Sequence, residues 1–499
     1  MTVSFSTIPA NTLVPLFYAE MDNSAANTSQ ESAPSLLLGH ANTGASIQPD
    51  SLVLMPSADY AKQICGPGSQ LARMVAAYRK TDPFGELYII AVPEPAAGVA
   101  ATYTLTVTGA ATESGTVNVY VGRTRIQAAV VSGDDVEAVA SSIKDAINAD
   151  PTLPVIASSA AGVVTLTARH KGLSGNEIPV VLNYYGYGGG EVLPAGVAVA
   201  VAAGTAGTGA PVLNGAIAAM ADEPFDYIGH PFSDLASVNA FVSEMNDTSG
   251  RWSYARQLYG HVYTAKLGTL SELVAAGDQL NQQHITLAGY EKETQTPADE
   301  LAASRTARNA VFIRNDPARP TQTGELVDML PAPKGKRFTM TEQQSLLSHG
   351  IATSYVESGT LRIQRDVTTY KKNAYGVADN SYLDSETLHT SAYVLRKLKS
   401  VITSKYGRHK LANDGARFGP GQAIVTPAVI KGELLATYRQ MERAGIVENY
   451  DLFKQYLKVE RDATDPNRIN TLFPPDYVNQ LRVFAVVNQF RLQYQEESA

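Results

Sequence analysis

The sequence is short of the groups that carry most protein chemistry. It has one cysteine, Cys65, in 499 residues. No disulfide can therefore close within the chain, and folding in a reducing compartment is expected. Cys65 follows Ile64 in a helical pattern, which predicts a buried structural thiol. The eight histidines, at positions 40, 170, 230, 261, 284, 349, 389 and 409, are dispersed. None forms H-x-x-x-H or H-E-x-x-H, so no zinc site is expected. There is no G-x-S-x-G, no Walker loop and no G-x-G-x-x-G opening a helix. Tyr187-Gly188-Gly189-Gly190 is glycine-rich, but no Lys-Ser or Lys-Thr follows to hold phosphate and metal, and it reads as a linker. His230 ends an apolar strand near Asp234, which would suit an acid–base pair; a histidine at a strand end is more often structural. No cofactor and no enzymatic activity are expected.

Charge is scarce too. Charged residues make up 18% of the chain and the formal net charge is -8, which argues against a general nucleic-acid binder. No apolar run approaches the ~18 residues that span a bilayer, so no membrane insertion is expected. The opening MTVSFSTIPANTLVP lacks the basic and apolar regions of a signal peptide. Synthesis and folding in a cytoplasm follow as the expectation.

What is present is an α/β pattern interrupted by one insertion. Residues 1–31 scatter Phe5, Ile8, Val14, Leu16 and Phe17 among polar residues. They suit a frayed terminus or a strand that pairs elsewhere, and both readings stay open. Ser35–Gly39, Leu52–Met55 and Glu86–Val92 read as strands. Between them lie a helix capped by Asp59 and a second with Leu71, Met74, Val75 and Tyr78 on one face. From 98 to 209 the composition shifts to Ala, Gly, Thr and Val. Thr102–Thr108, Thr116–Val121 and Val163–Ala168 alternate as strands around a helix at Asp134–Ala149. This block reads as an inserted β-rich domain closed by a Gly/Ala tract. Strands at Phe225–Gly229, Leu258–Thr264 and His284–Leu287 then alternate with helices at Asp234–Met245 and Leu270–Leu280. That order argues a mostly parallel sheet covered by helices.

Beyond Pro317, Pro320, Pro331 and Pro333, the stretch His349–Tyr370 (HGIATSYVESGTLRIQRDVTTY) reads as a hairpin turning at Glu357-Ser358-Gly359, with Gly359 free to take positive φ. Helices follow from Ser385 to Gly407 and from the cap Thr426, with Pro427 first and Gly445 past the end. Leu481–Tyr494 (LRVFAVVNQFRLQY) reads as a final strand, expected to share a sheet with the hairpin. Its apolar phase slips at Asn488-Gln489, passing to Phe490, Leu492 and Tyr494. The slip is either a bulge or the start of a strand that joins a neighbour's sheet, and the second is favoured. Arg362 to Lys410 is locally basic. Arg396, Lys397, Lys399, Lys405, Arg408 and Lys410 are candidates for contact with an acidic partner, although cations late in a helix also suit its dipole.

The hairpin, with DPNRINTLFPPDYVNQLRVFAVVNQFRL downstream, resembles the tail sheath proteins of contractile-tailed phages, the Mu-like branch best. FGELYIIAV, FDYIGHPFSD and YGHVYTAKLGT are similar to segments of the sheath core. The resemblance implies a structural subunit in stacked six-membered rings around a tail tube. It also implies a protruding insertion, a last domain facing the tube, and terminal arms that link subunits. Partners would be other copies of the chain, the tail tube protein, and baseplate and tail terminator proteins. The expected division is an arm at 1–31, an α/β core at 32–97 and 210–330, an insertion at 98–209, an α+β domain at 331–487 and an arm at 488–499. Two rival readings are an α/β hydrolase with an appended β domain, which lacks its motifs, and an adhesin, which lacks a signal peptide.

Overall fold

The structure is a computed structural model that describes residues 33–419 and 421–492. The expectations for residues 1–31 and for Tyr494 lie outside the described residues.

The chain opens with β1 (Ser35–Gly39), β2 (Leu52–Leu54), α1 (Ala58–Cys65), α2 (Gln70–Thr81) and β3 (Leu87–Ala91). Ser57, rather than the expected Asp59, caps α1 by accepting from the Tyr60 amide; Asp59 sits in the first turn. The insertion contributes β4 (Ala100–Thr108), β5 (Gly115–Val121), β6 (Thr124–Val130), α3 (Val136–Asn148), β7 (Val155–Ala160), β8 (Val163–Lys171), β9 (Val180–Leu182) and β10 (Ala198–Ala203). They form a four-stranded sheet, β10-β4-β8-β7, and a three-stranded one, β6-β5-β9. Their inner faces share one apolar core with α3. The Gly/Ala tract expected to close this block thus contains a strand, β10, which continues the sheet beside β4.

The α/β pattern resumes with α4 (Asn214–Met220), β11 (Tyr227–Gly229), α5 (Leu235–Met245), β12 (His261–Gly268), α6 (Leu270–Asp278), β13 (Ile285–Glu291), α7 (Ala298–Asn315), α8 (Met340–Ser348), β14 (Ile351–Glu357) and β15 (Thr360–Arg365). These complete an eight-stranded sheet in the order β15-β14-β13-β12-β11-β1-β3-β2. Its interior pairs are parallel, and antiparallel β15 and β2 close the edges. Helices α1, α2 and α7 cover one face; α4, α5, α6 and α8 cover the other. β1 shows why its sequence is apolar throughout: Leu37 faces the first layer while Leu36 and Leu38 face the second.

The hairpin is therefore not part of a separate last sheet, as the sequence suggested. Ile351 and Ala352 pair with Leu287 and Ala288 of β13, so β14 and β15 extend the central sheet. Its turn is tighter than the expected Glu357-Ser358-Gly359: Glu357 still belongs to β14, and Ser358 as well as Gly359 takes positive φ, 50° and 84°, the geometry of a two-residue hairpin loop.

The last part comprises α9 (Ser385–Tyr406), β16 (Lys410–Leu411), β17 (Ile424–Val425), α10 (Pro427–Arg443), α11 (Tyr450–Tyr456), β18 (Lys458–Arg461) and β19 (Ile469–Leu472). Thr426 caps α10 with Pro427 in its first turn, and Gly445 takes φ 73° just beyond it. Tyr438 stacks on Phe453 at 3.7 Å, with Phe473 edge-on to Phe453. This small core ties the β18–β19 pair to the two helices.

Candidate subunit-contact surface

Two places merit a site description: the crevice where an α/β sheet would hold a ligand, and the end of the described chain. Doubly wound sheets bind ligands at the carboxyl ends of strands where the order reverses. Here that point lies between β1 and β11, just past Gly39 and Gly229. It is occupied by the chain itself. His40, next after β1, packs against Phe232 at 5.1 Å and against His170 of the insertion at 5.6 Å. Burial pulls the His40 imidazole down to about 4. What remains is a cavity of about 160 Å³ roofed by the 172–177 turn.

His230 and Asp234 do not form the acid–base pair their spacing allowed. His230 is fully buried, stacks on Phe241 at 4.6 Å, and its Nδ1 accepts from the Phe232 amide. Burial pushes it down to about 3. The Asp234 carboxylate instead accepts from the Ser237 amide and starts α5. Cys65 is buried, which pushes its thiol up to about 12. Among the described residues no three His, Cys, Asp or Glu side chains cluster to hold a metal, and no helix is long and apolar enough to cross a membrane.

The end of the chain is built differently. Leu481–Leu492 forms no strand, correcting the expected pairing with the hairpin. Up to Arg482 the segment is fastened by polar contacts. Gln480 Nε2 donates to Ala318 O at 3.0 Å, and Gln322 Nε2 donates to Leu481 O at 3.1 Å. Arg482 Nη2 lies 3.2 Å from Asp384 Oδ1 and 3.2 Å from Glu386 Oε1, at the start of α9. Past Arg482 the character changes abruptly. Val483, Phe484, Val486, Val487, Phe490 and Leu492 are all exposed, Phe484 at 80% and Leu492 at 97%. A run this apolar is rarely left open on the surface of a monomeric soluble protein. It begins at Val483, five residues before the phase slip at Asn488-Gln489.

The β18–β19 pair has outer edges of its own. Each strand has a single strand partner among the described residues, so backbone groups along the outer edges are open to a further strand.

The basic candidates divide. Arg396 is turned inward: Nη1 donates to Asp226 Oδ1 at 2.5 Å, Nη2 donates to Tyr259 O, and the guanidinium lies over the Tyr259 ring. It joins α9 to the central sheet. Lys405 pairs with Glu433 of α10 at 2.6 Å, and Lys410 reaches Gln422 Oε1 at 3.3 Å. Lys397 is half-buried. Lys399 and Arg408 are exposed and have no ion pair among the described residues. The sequence could not make this division, because Asp226 and Glu433 are remote in the chain.

Comparison with known proteins agrees with the covered sheet and the inserted sandwich. Family models for the phage tail sheath β-sandwich domain, central domain and C-terminal domain match residues 96–198, 206–369 and 377–491. These define the class of protein, a phage tail sheath component. The Mu-like prophage FluMu tail sheath protein of Haemophilus influenzae is 38% identical over 495 residues, covering 99% of this chain and 100% of the relative. The chain belongs to the phage tail sheath family, in its Mu-like branch. It is a structural protein rather than an enzyme, and the hydrolase reading falls. Solved structures similar to it include a sheath tail protein of Desulfitobacterium hafniense (TM-score 0.48, 12% identity, 93% of this chain and 100% of that one). A second is a sheath tail protein of Listeria innocua (TM-score 0.48, 10% identity, 90% and 92%).

Proposed function

We propose that this subunit polymerises in stacked six-membered rings around a tail tube and contracts to drive the tube through a host envelope. In this reading residues from Val483 onward cross to a neighbouring copy and add a strand to its β18–β19 pair. The tube, the baseplate and a terminator protein are the other partners, and Lys399 and Arg408 are the candidates for facing the tube. Assembly takes place in the host cytoplasm, and the product is part of the virion tail. Energy stored in the extended lattice drives the contraction.

The observation that carries this reading is the exposed apolar run at 483–492 in a chain that also holds an open two-stranded sheet. Each backbone bond formed across such an edge contributes about 0.5–1.5 kcal/mol net. Burying Phe484, Phe490 or Leu492 adds roughly 1.5–3 kcal/mol apiece before ordering costs. Repeated through a lattice, this decides between polymer and monomer.

The test is a chain ending at Arg482, compared with full length by sedimentation and electron microscopy where full length forms tubes. The truncated chain should remain monomeric with its thermal transition intact. Tubes from the truncated chain would show that the run does not link subunits.

A further inference from the structure

We infer that Arg482 is the residue that positions the root of the arm. Lodged between Asp384 and Glu386, it fixes the direction in which residue 483 and those after it leave the body. It thereby fixes the register in which they meet a second copy of the chain. The inference rests on the reading of that segment as an intersubunit arm.

The guanidinium is held from several sides. Nη2 faces both carboxylates at 3.2 Å, Nη1 lies 3.3 Å from Gln322 Oε1, and the Gln480 side chain closes on Nη2 as well. Only 12% of the Arg482 side chain is exposed. The carboxylates are themselves fixed. Arg365, at the end of β15, grips both oxygens of Asp384 at 2.8 and 2.9 Å. Glu386 is fully buried and accepts from the Thr321 amide at 2.9 Å. The Thr321 hydroxyl stands between Glu386 Oε1 and Asp366 Oδ2, and Asp366 is paired with Arg305 of α7. An unbroken run of polar contacts thus leads from the sheet-covering helix α7 to the root of the arm. One nitrogen meets both carboxylates while the other reaches Gln322, and a planar group held at both nitrogens sets a direction, which the point charge of a lysine does not.

Direction matters because of leverage. Ten extended residues beyond the root reach about 33 Å. A swing of about 20° at the root would then move the tip by roughly 11 Å, more than two strand spacings of ~4.8 Å. An arm loose at its root would search many registers; one fixed at Arg482 presents few.

The experiment uses the full chain with nitroxide labels on two introduced cysteines, Ser404→Cys on α9 and Ala485→Cys beyond the root. Both sites are exposed, and Cys65 is buried, which leaves the two introduced thiols as the accessible ones. Pulsed electron resonance gives the distance distribution in unpolymerised protein. It should be narrow with Arg482 and at least twofold broader in Arg482→Gln and Arg482→Lys, whose tubes should be absent or irregular. Glu386 keeps its two contacts from Thr321, so both variants should retain a thermal transition. If the glutamine variant does not fold, the lysine variant alone decides. An unchanged distribution, or a broadened one with regular tubes, overturns the inference. The chain ending at Arg482 separates the two ideas. If it forms tubes, the arm reading itself fails; if it does not while the position-482 variants assemble normally, only the anchoring role fails.

Discussion

Arg305 Nε lies 2.6 Å from Asp366 Oδ1, and both side chains are closed off from solvent. The pair joins α7, on one face of the central sheet, to the chain leaving β15. Most of its remaining valences are met: Arg305 also reaches Tyr290 Oη, Ser354 Oγ and Thr353 O, and Asn309 donates to Asp366 Oδ2. Burial alone would pull the guanidinium down, but Asp366 more than reverses this and holds it above its ordinary value. Removing one partner strands a charge in the core. Asp366→Ala should therefore cost about 3–5 kcal/mol, while Arg305→Met with Asp366→Leu should cost less than the single change. Urea unfolding of the three proteins checks this. A double variant weaker than Asp366→Ala would mean that packing around the pair, rather than the stranded charge, sets the cost.

A second prediction concerns the insertion. The interrupted α/β pattern says that residues 98–209 can leave without unmaking the core, and no strand of the central sheet comes from them. The structure adds that they are docked firmly. Gln70 donates its amide to His170 Nε2 at the start of α2, Arg123 pairs with Glu300, and Gln295 donates to Gly122 O. The deletion bridged by a Gly/Ser linker should still unfold cooperatively, but at a lower Tm. His170→Ala in the full chain should cost about 0.5–2 kcal/mol, as for a lost helix cap. Loss of any thermal transition on deletion would make the insertion part of the core folding unit.

A third prediction turns on pH. Glu177, in the turn that faces β12, is raised from 4.5 to about 7, chiefly by burial, with Lys266 at 3.8 Å opposing the shift. The folded protein thus keeps a proton here, between those two values, that the unfolded chain has released. The stability contribution of this group is complete below pH 4.5 and is lost as pH rises through about 7. Glu177→Gln removes that loss. Relative to wild type, the variant should gain up to ~3 kcal/mol between pH 4 and pH 8. Tm measured against pH for both proteins decides it. Parallel curves would show that the carboxyl titrates normally.

The central sheet was legible because its strands and covering helices carry the two expected periods. What stayed hidden has physical causes. α7 was missed because it is buried nearly all round and carries charged and polar groups inward: Asp299, Glu300, Arg305 and Asn309 are all buried, so no polar face marks it as an amphipathic helix. β10 was missed because alternate small residues, AVAVAA, bury little. The hairpin was recognised, but its sheet was not, since pairing of Ile351 with Leu287 leaves no local trace. Of the contact surface, the apolar end was visible and its root was not. Arg482 looks like any strand arginine until Asp384 and Glu386, nearly a hundred residues earlier, are brought to it.

The last prediction separates the basic residues of α9 and its neighbour loop by what each holds. Arg396 binds Asp226 and Tyr259 within the chain, so Arg396→Ala should lower Tm and leave Asp226 without its guanidinium. Lys399 and Arg408 face solvent, so Lys399→Ala and Arg408→Ala should leave Tm within about 1 °C, surface changes being worth ±0.5 kcal/mol or less. If these two meet an acidic partner, their effect appears only in assembly with it and fades as salt screens the charges over a Debye length of ~10 Å at 0.1 M. Co-assembly with purified tube protein at two salt concentrations reads this directly. The paired variant should assemble more weakly than wild type at low salt and equally at high salt. Equal assembly at both would take Lys399 and Arg408 off the tube-facing surface. A fall in Tm matching that of Arg396→Ala would instead make them part of the fold.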